Sequence, residues 1–180
     1  MAHPVSLGID RLHHMPNSHH HTHITPSLIE AIRSRYALNW HGIHGVSHWA
    51  RVRNNGLKLA AKTGANRQVV ELFAFLHDSC RLNDGYDREH GRRAARFAES
   101  LLGTHIFLPD HDFDLLVHAC THHTWGNTVA DITVQTCWDA DRLDLGRVGT
   151  IPDPMRLCTA AAQNRAMIEW AYRQSIRLEV

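Results

Sequence analysis

Seventeen histidines stand among the 180 residues of the chain, and they are spread unevenly. Seven of them (His3, His13, His14, His19, His20, His21 and His23) crowd the first 23 residues, leaving ten for the rest. Imidazole offers a neutral nitrogen ligand and titrates near neutral pH, so it serves metal binding and proton transfer alike. Beyond the N-terminal stretch the histidines fall into groups that a fold could gather. His41, His44 and His48 are three and four residues apart, and on a helix His44 and His48 share one face. His77-Asp78 closes the apolar run VVELFAFL. In such surroundings the pair is costly unless both groups find a strong partner, either a metal ion or an ion pair. His90 follows, then His118, His122 and His123 in one segment. Finally, Trp138-Asp139-Ala140-Asp141-Arg142-Leu143-Asp144 sets three acids within about a turn and a half of helix. Imidazole nitrogen with carboxylate oxygen and no thiolate suits a hydrolytic metal centre. The mixture fits Mn, Fe, Co, Ni or Zn, while Mg is less at home among several nitrogens.

The elements that must position these groups read as helices throughout. Thr25 is an N-cap, Pro26 suits the first helical position, and Ile29, Ile32 and Tyr36 follow at helical spacing. A second helix covers about 44–63 and stops at Thr63-Gly64. A third runs over about 66–79 and is apolar almost all round, which predicts a central, buried element. RLNDGYDRE is a loop of turn residues. Further helices are expected over about 87–103, 110–123 and 129–145. After the Pro152–Pro154 turn a long helical stretch covers about 155–178. Alternation of Val, Ile and Thr is scarce. The expected fold is therefore a single compact all-α domain of about six to seven main helices, spanning 25–180. Residues 1–24 show no period and read as a flexible His-rich arm whose histidines bind metal only adventitiously.

Composition narrows the function classes. Nineteen basic and 18 acidic residues give a net charge of +1, so no nucleic-acid partner is expected. No stretch is apolar enough for a secretory leader or a membrane span, so no membrane partner is expected either. Cys80, Cys120, Cys137 and Cys158 form no CxxC pair and read as reduced thiols of a cytoplasmic protein. No heptad speaks to oligomeric state.

The order of the chemical residues resembles a known family. His48-Trp49-Ala50-Arg51-Val52, then Leu76-His77-Asp78, then Ala140-Asp141-Arg142-Leu143 is similar to the pattern of HD-domain metal-dependent phosphohydrolases. That pattern is a histidine on one helix, a His-Asp dipeptide on a later helix and a distal aspartate, and here it covers about residues 44–145. A bare His-Asp carries little, since His111-Asp112 is another; the ordered series carries the resemblance. It implies that His48, His77, Asp78 and Asp141 hold a first metal, with Asp141 preferred over Asp139 for its Ala-Asp-Arg context. It implies that His90 and His122 or His123 (in that order of preference) are candidates for a second. The Gly-Tyr-Pro extension of the cyclic dinucleotide phosphodiesterase branch is absent. Ser79-Cys80-Arg81 stands where alarmone hydrolases carry Glu-Asp.

The expected activity is that of a phosphohydrolase using one or two divalent transition ions on a small phosphorylated metabolite, a nucleotide first among them. Asp78, Arg81 and His90 are the expected catalytic residues. Asp78 orients or deprotonates water, and Arg81 and His90 face the charge developing on the phosphoryl oxygens. Whether it acts on monoesters or diesters stays open. A di-iron oxygenase on the same scaffold and a non-catalytic module that binds a nucleotide or a partner are the alternatives. His41, His118, Arg92 and Arg93 read as structural or exposed. Asp139 and Asp144 read as solvent-facing or paired with Arg142. His44 reads as a surface helix histidine, with a place behind the metal ligands or contact with substrate as the other possibility.

Overall fold

The structure, a computed structural model, describes residues 23–177. Among them eight α-helices occur and no strand, only an isolated bridge between Leu102 and Ile106. The helices are α1 (Pro26–Arg35), α2 (Val46–Thr63), α3 (Arg67–Leu76), α4 (His90–Leu101), α5 (Asp110–His122), α6 (Ile132–Arg142), α7 (Ala160–Gln163) and α8 (Arg165–Ser175). Seven of the eight have ten residues or more, and α7 has four. The expected arm lies outside the described residues apart from His23 and Ile24, and Ile24 packs against the core.

Local chemistry sets the ends. The Thr25 hydroxyl accepts from the Leu28 amide ahead of Pro26, and the Asn66 side chain accepts from Gln68 and Val69 at the start of α3. Gly64 stops α2 in the left-handed conformation at φ 76°, where a side chain would be strained. Helix α3 is buried on every side, from Val69 to Leu76. The one charge within that buried stretch, Glu71, is held by Arg53. Helices α2, α5 and α6 pack around α3, and α4 packs on α5. At Gly56 an added Cβ would lie 2.4 Å from Val70 Cγ1 and 3.3 Å from the Ala140 methyl. That close approach of α2 to both α3 and α6 requires glycine. A smaller apolar cluster, with Leu59, Leu143, Met167 and Ile168, fastens α8 to the same frame.

Two sequence expectations are corrected. The stretch over about 155–178 is a 3-10 turn at Pro154–Arg156 followed by α7 and α8. Thr159 accepts from Ala162 N and Asn164 accepts from Ala166 N and Met167 N, so each restarts the chain as a new N-cap. Helix α4 begins at His90, because the Asp87 carboxylate accepts from Leu82 N and Arg93 and keeps residues 82–87 in a loop. All four cysteines are free, and no helix among the described residues is long and apolar enough to cross a membrane.

Candidate metal centre

Five helices deliver their ends to one place. His48 lies in the first turn of α2, His77 caps the C-terminus of α3, and Asp78 follows it. His90 opens α4, His123 follows the last residue of α5, and Asp141 sits in the last turn of α6. Gly91 makes the α4–α5 approach possible. A Cβ there would meet the Cys120 carbonyl at 2.5 Å and His123 Cε1 at 3.2 Å.

The donor atoms form two sets that share Asp78. His48, His77 and Asp78 make one, and Asp78, His90 and His123 make the other, with the ligand atoms of each set within 4.8 Å of one another. In the first, the His48 and His77 Nε2 atoms are 3.1 Å apart. Asp141 Oδ1 lies 3.4 Å and 3.6 Å from them, and Asp78 Oδ2 lies 3.7 Å and 3.8 Å. In the second, the His90 and His123 Nε2 atoms are 2.8 Å apart, and Asp78 Oδ1 lies 3.1 Å and 3.6 Å from them. The two oxygens of Asp78 thus serve one set each.

These separations can be tested against an ion. With metal–ligand bonds of about 2.1 Å, neighbouring ligands stand about 3.0 Å apart in an octahedron and about 3.4 Å apart in a tetrahedron. The observed edges bracket those lengths. Hydrogen bonding gives a second, independent test. His77 Nδ1 donates to the Phe73 and Ala74 carbonyls, His90 Nδ1 to Asp87 O, and His123 Nδ1 to Cys120 O. His48 Nδ1 donates to the Asp144 carboxylate. With every Nδ1 carrying the proton, four Nε2 lone pairs converge, two and two, on a carboxylate. Lone pairs 2.8–3.1 Å apart repel unless a cation or proton lies between them. The residues fit one or two divalent cations bound by nitrogen and oxygen.

No family model matches the chain, and no curated protein matches it. Among solved structures it is similar to the crystal structure of a predicted HD superfamily hydrolase from an uncultured Thermotogales bacterium. The two share 27% identity at a TM-score of 0.62, over 82% of this chain and 84% of the other. The likeness supports the HD-domain superfamily. The all-α architecture, with its His48, His77-Asp78 and Asp141 series gathered in space, is the HD fold.

Within this HD domain some sequence assignments change. The preference for His122 over His123 is reversed. His123 is buried beside Asp78, whereas His122, one residue earlier in α5, turns toward His118 with ring centroids 4.6 Å apart. Burial and the neighbouring His118 and Arg92 lower the His122 pKa. Asp144 is not solvent-facing. It is fully buried, accepts from His48, and is held by Arg51 Nε at 2.7 Å with Arg147 alongside. Asp139 is also fully buried and accepts from Cys158 N, Thr159 N and the Thr159 hydroxyl. Arg142 pairs with neither acid; it donates to the Arg156 and Asn127 carbonyls. His44 Nδ1 donates to Asp78 Oδ2 at 2.7 Å, so His44 aims the shared carboxylate. The i, i+4 spacing of His44 and His48 carried that signal. His41 is exposed. Arg92 is exposed beside Glu89, and Arg93 ties Asp87 to the Cys80 carbonyl.

Electrostatics follow from burial and from these bonds. Burial lowers the His48 pKa to about 4, assisted by the charge of Arg147 and opposed by Asp144. Burial pushes the Asp78 carboxyl up, but His77 and the adjacent His123, His44 and His90 side chains hold it well below the usual range. At Asp141 burial is likewise outweighed, by the neighbouring His77 and His48 imidazoles and by the charge of Arg147. Arg81 is buried, with Nη1 3.3 Å from Asp78 Oδ1 and 3.2 Å from His90 Nε2. Its Nε and Nη2 donate to the Asn83 and Gly85 carbonyls. Two cavities adjoin the centre. One of about 510 Å³ has His123 in its wall, and one of about 230 Å³ has His90 and Arg81.

Proposed function

We propose that this HD domain is a metal-dependent phosphohydrolase acting on a small phosphorylated metabolite, with a nucleotide as the leading candidate. The observation that carries the reading is the pair of donor sets sharing Asp78, each with two imidazole Nε2 lone pairs directed inward. His48, His77, Asp78 and Asp141 would hold one divalent transition ion, and Asp78, His90 and His123 a second. Such an ion supplies a Lewis acid for a phosphoryl oxygen and an acidified water, whose pKa falls from about 16 toward roughly 7 in the most favourable sites. The HD hydrolase among solved structures supports hydrolysis over other chemistries.

The chain's own residues do the rest. Asp78, ionised and aimed by His44, orients the attacking water through whichever carboxylate lone pair faces the cleft. Arg81 places a permanent positive charge beside Asp78 and His90, where it opposes charge growing on the phosphoryl oxygens. The burial of His48, His77, His90 and His123 excludes bulk water from the reacting group. No strongly basic surface is needed for a small anionic substrate, in keeping with the net charge of +1.

The test is reconstitution of the metal-free protein with Mn, Co, Fe, Ni or Zn, followed by a panel of phosphate esters and nucleotides. Phosphate release that depends on added metal and vanishes in Asp78→Ala, with helical content retained, is expected. Unchanged turnover and metal content in Asp78→Ala would overturn the reading. Iron-dependent oxygen consumption without hydrolysis would move it to oxidation.

A further inference from the structure

Away from the buried centre, a pair of imidazoles repeats its geometry. His118 and His122 stand at i and i+4 in α5, in the segment His118-Ala119-Cys120-Thr121-His122. Two histidines at that spacing share one helix face and can chelate a single zinc-type ion. Their ring centroids are 4.6 Å apart. With a metal–nitrogen bond of about 2.1 Å and the ring centre about 1.1 Å beyond the nitrogen, two imidazoles on one ion have centroids about 4.5 Å apart at a right angle and about 5.2 Å apart at the tetrahedral angle. The paired rings of the two donor sets stand at 5.1 Å for His48 with His77 and 4.7 Å for His90 with His123, so this pair matches them. Unlike those rings it meets solvent, His118 being exposed and His122 half-buried.

We propose that His118 and His122 form a peripheral metal site that takes a divalent late transition ion, namely zinc, nickel or copper. Imidazole suits these ions, and two ring nitrogens leave the remaining positions to water or to a third side chain. Asp114, exposed one turn before His118, continues the same stripe of α5 and offers a carboxylate. Trp138 backs the pair. It is fully buried, its Nε1 donates to the Ala119 carbonyl, and its ring lies 6.0 Å from that of His118 at a tilt of 33°. That contact limits the freedom of the His118 ring, so less rotamer entropy is lost when an ion binds. Arg92 works against a cation here, and Glu89, 3.4 Å from it, offsets that charge. An ion on this pair spans the last turn of α5, directly ahead of His123, and ties the turn from which the second donor set draws a ligand. Neither histidine belongs to either donor set, so the site stands whether or not phosphate esters are the substrates.

The probe is zinc chloride, titrated into the full-length protein near neutral pH before brief treatment with diethyl pyrocarbonate, with the modified histidines located by peptide mass mapping. Mapping reads each residue separately, so zinc taken up by the N-terminal histidines or by the buried centre does not enter the result. Free zinc at about ten times its Kd should lower modification of His118 and of His122 about tenfold, in step with occupancy. The same protection is expected in Asp78→Ala, which removes the carboxylate shared by both buried donor sets. His118→Ala, at an exposed position that folding tolerates, should restore the reactivity of His122 in the presence of zinc. Modification of His118 that zinc leaves unchanged below the millimolar range overturns the site, as does protection of His122 that survives His118→Ala. Protection that disappears in Asp78→Ala overturns it too, because the ion would then be acting from the buried centre.

Discussion

Asp144 carries the weight of the His48 orientation. Its carboxylate accepts the hydrogen bond from Nδ1–H, which fixes the tautomer and turns Nε2 toward His77 and Asp141. Arg51 and Arg147 hold that carboxylate in turn. Partners that orient a ligating histidine typically contribute about 10- to 100-fold in metal affinity. Asp144→Asn is therefore expected to weaken binding at the first donor set by about that factor while the helical circular dichroism persists. Isothermal titration with Co or Zn checks it, and unchanged affinity would show that packing alone orients His48. Arg81 acts in the opposite sense at the second set. Its Nη1 donates into the His90 lone pair that a cation would use, and its charge sits beside that position. Arg81→Gln should bind the second equivalent of metal more tightly, read in the same titration, even as it loses turnover. Both residues show why single-sequence reading stops short. Asp144 was visible only as an acid among acids, because its partner lies 96 residues away and at no fixed spacing.

At the scale of elements, the helices were legible where local chemistry decides them and less so where a distant group does. Thr25-Pro26, Thr63-Gly64 and the unbroken apolar face of α3 fix their elements within a few neighbours. The C-terminal stretch read as one helix because its composition suits one. It is divided by Asp139, whose buried carboxylate binds the amides of Cys158 and Thr159 from another helix. Asp139→Ala leaves two amides and the Thr159 O–H without an acceptor, at about 1–3 kcal/mol for each buried group. A loss on the order of 3 kcal/mol in urea unfolding is expected, with metal affinity of the remaining folded protein little altered. The junction of α4 with α5 answers to Gly91. Gly91→Ala forces its methyl against the Cys120 carbonyl and His123 ring. Overpacking of this kind costs about 1–3 kcal/mol, and relief comes by moving His90 away from His123. Metal analysis should then find the second equivalent lost and the first retained. Two retained equivalents would mean that α4 can shift without opening the donor set.

For the whole molecule, the centre is where α2 to α6 meet, so its ionisation bears on global stability. The metal-free HD domain keeps His48 neutral in the folded state, with a pKa of about 4 against an ordinary value of 6.5. The unfolded chain therefore binds the extra proton between those values, and stability rises with pH across that window. It is lost as the pH falls from 6.5 toward 4, by about 3 kcal/mol at most for a shift of this size. Asp78 and Asp141 add to the loss further down. Their folded carboxyls lie below the ordinary range, so their contribution is present near neutrality and disappears as the pH drops through the carboxylate range and below. All three groups point the same way. Bound metal sharpens the slope, since an ion that binds only the folded state at a hundredfold excess over its Kd adds about 2.7 kcal/mol and competes with the same protons. Urea midpoints measured with chelator at pH 7, 5.5 and 4 should fall in that order. The gap between metal-loaded and chelated protein should narrow along the same series. Equal chelated midpoints at pH 7 and 4 would mean that His48 is protonated in the fold, and the convergence of Nε2 lone pairs on Asp78 would lose its basis.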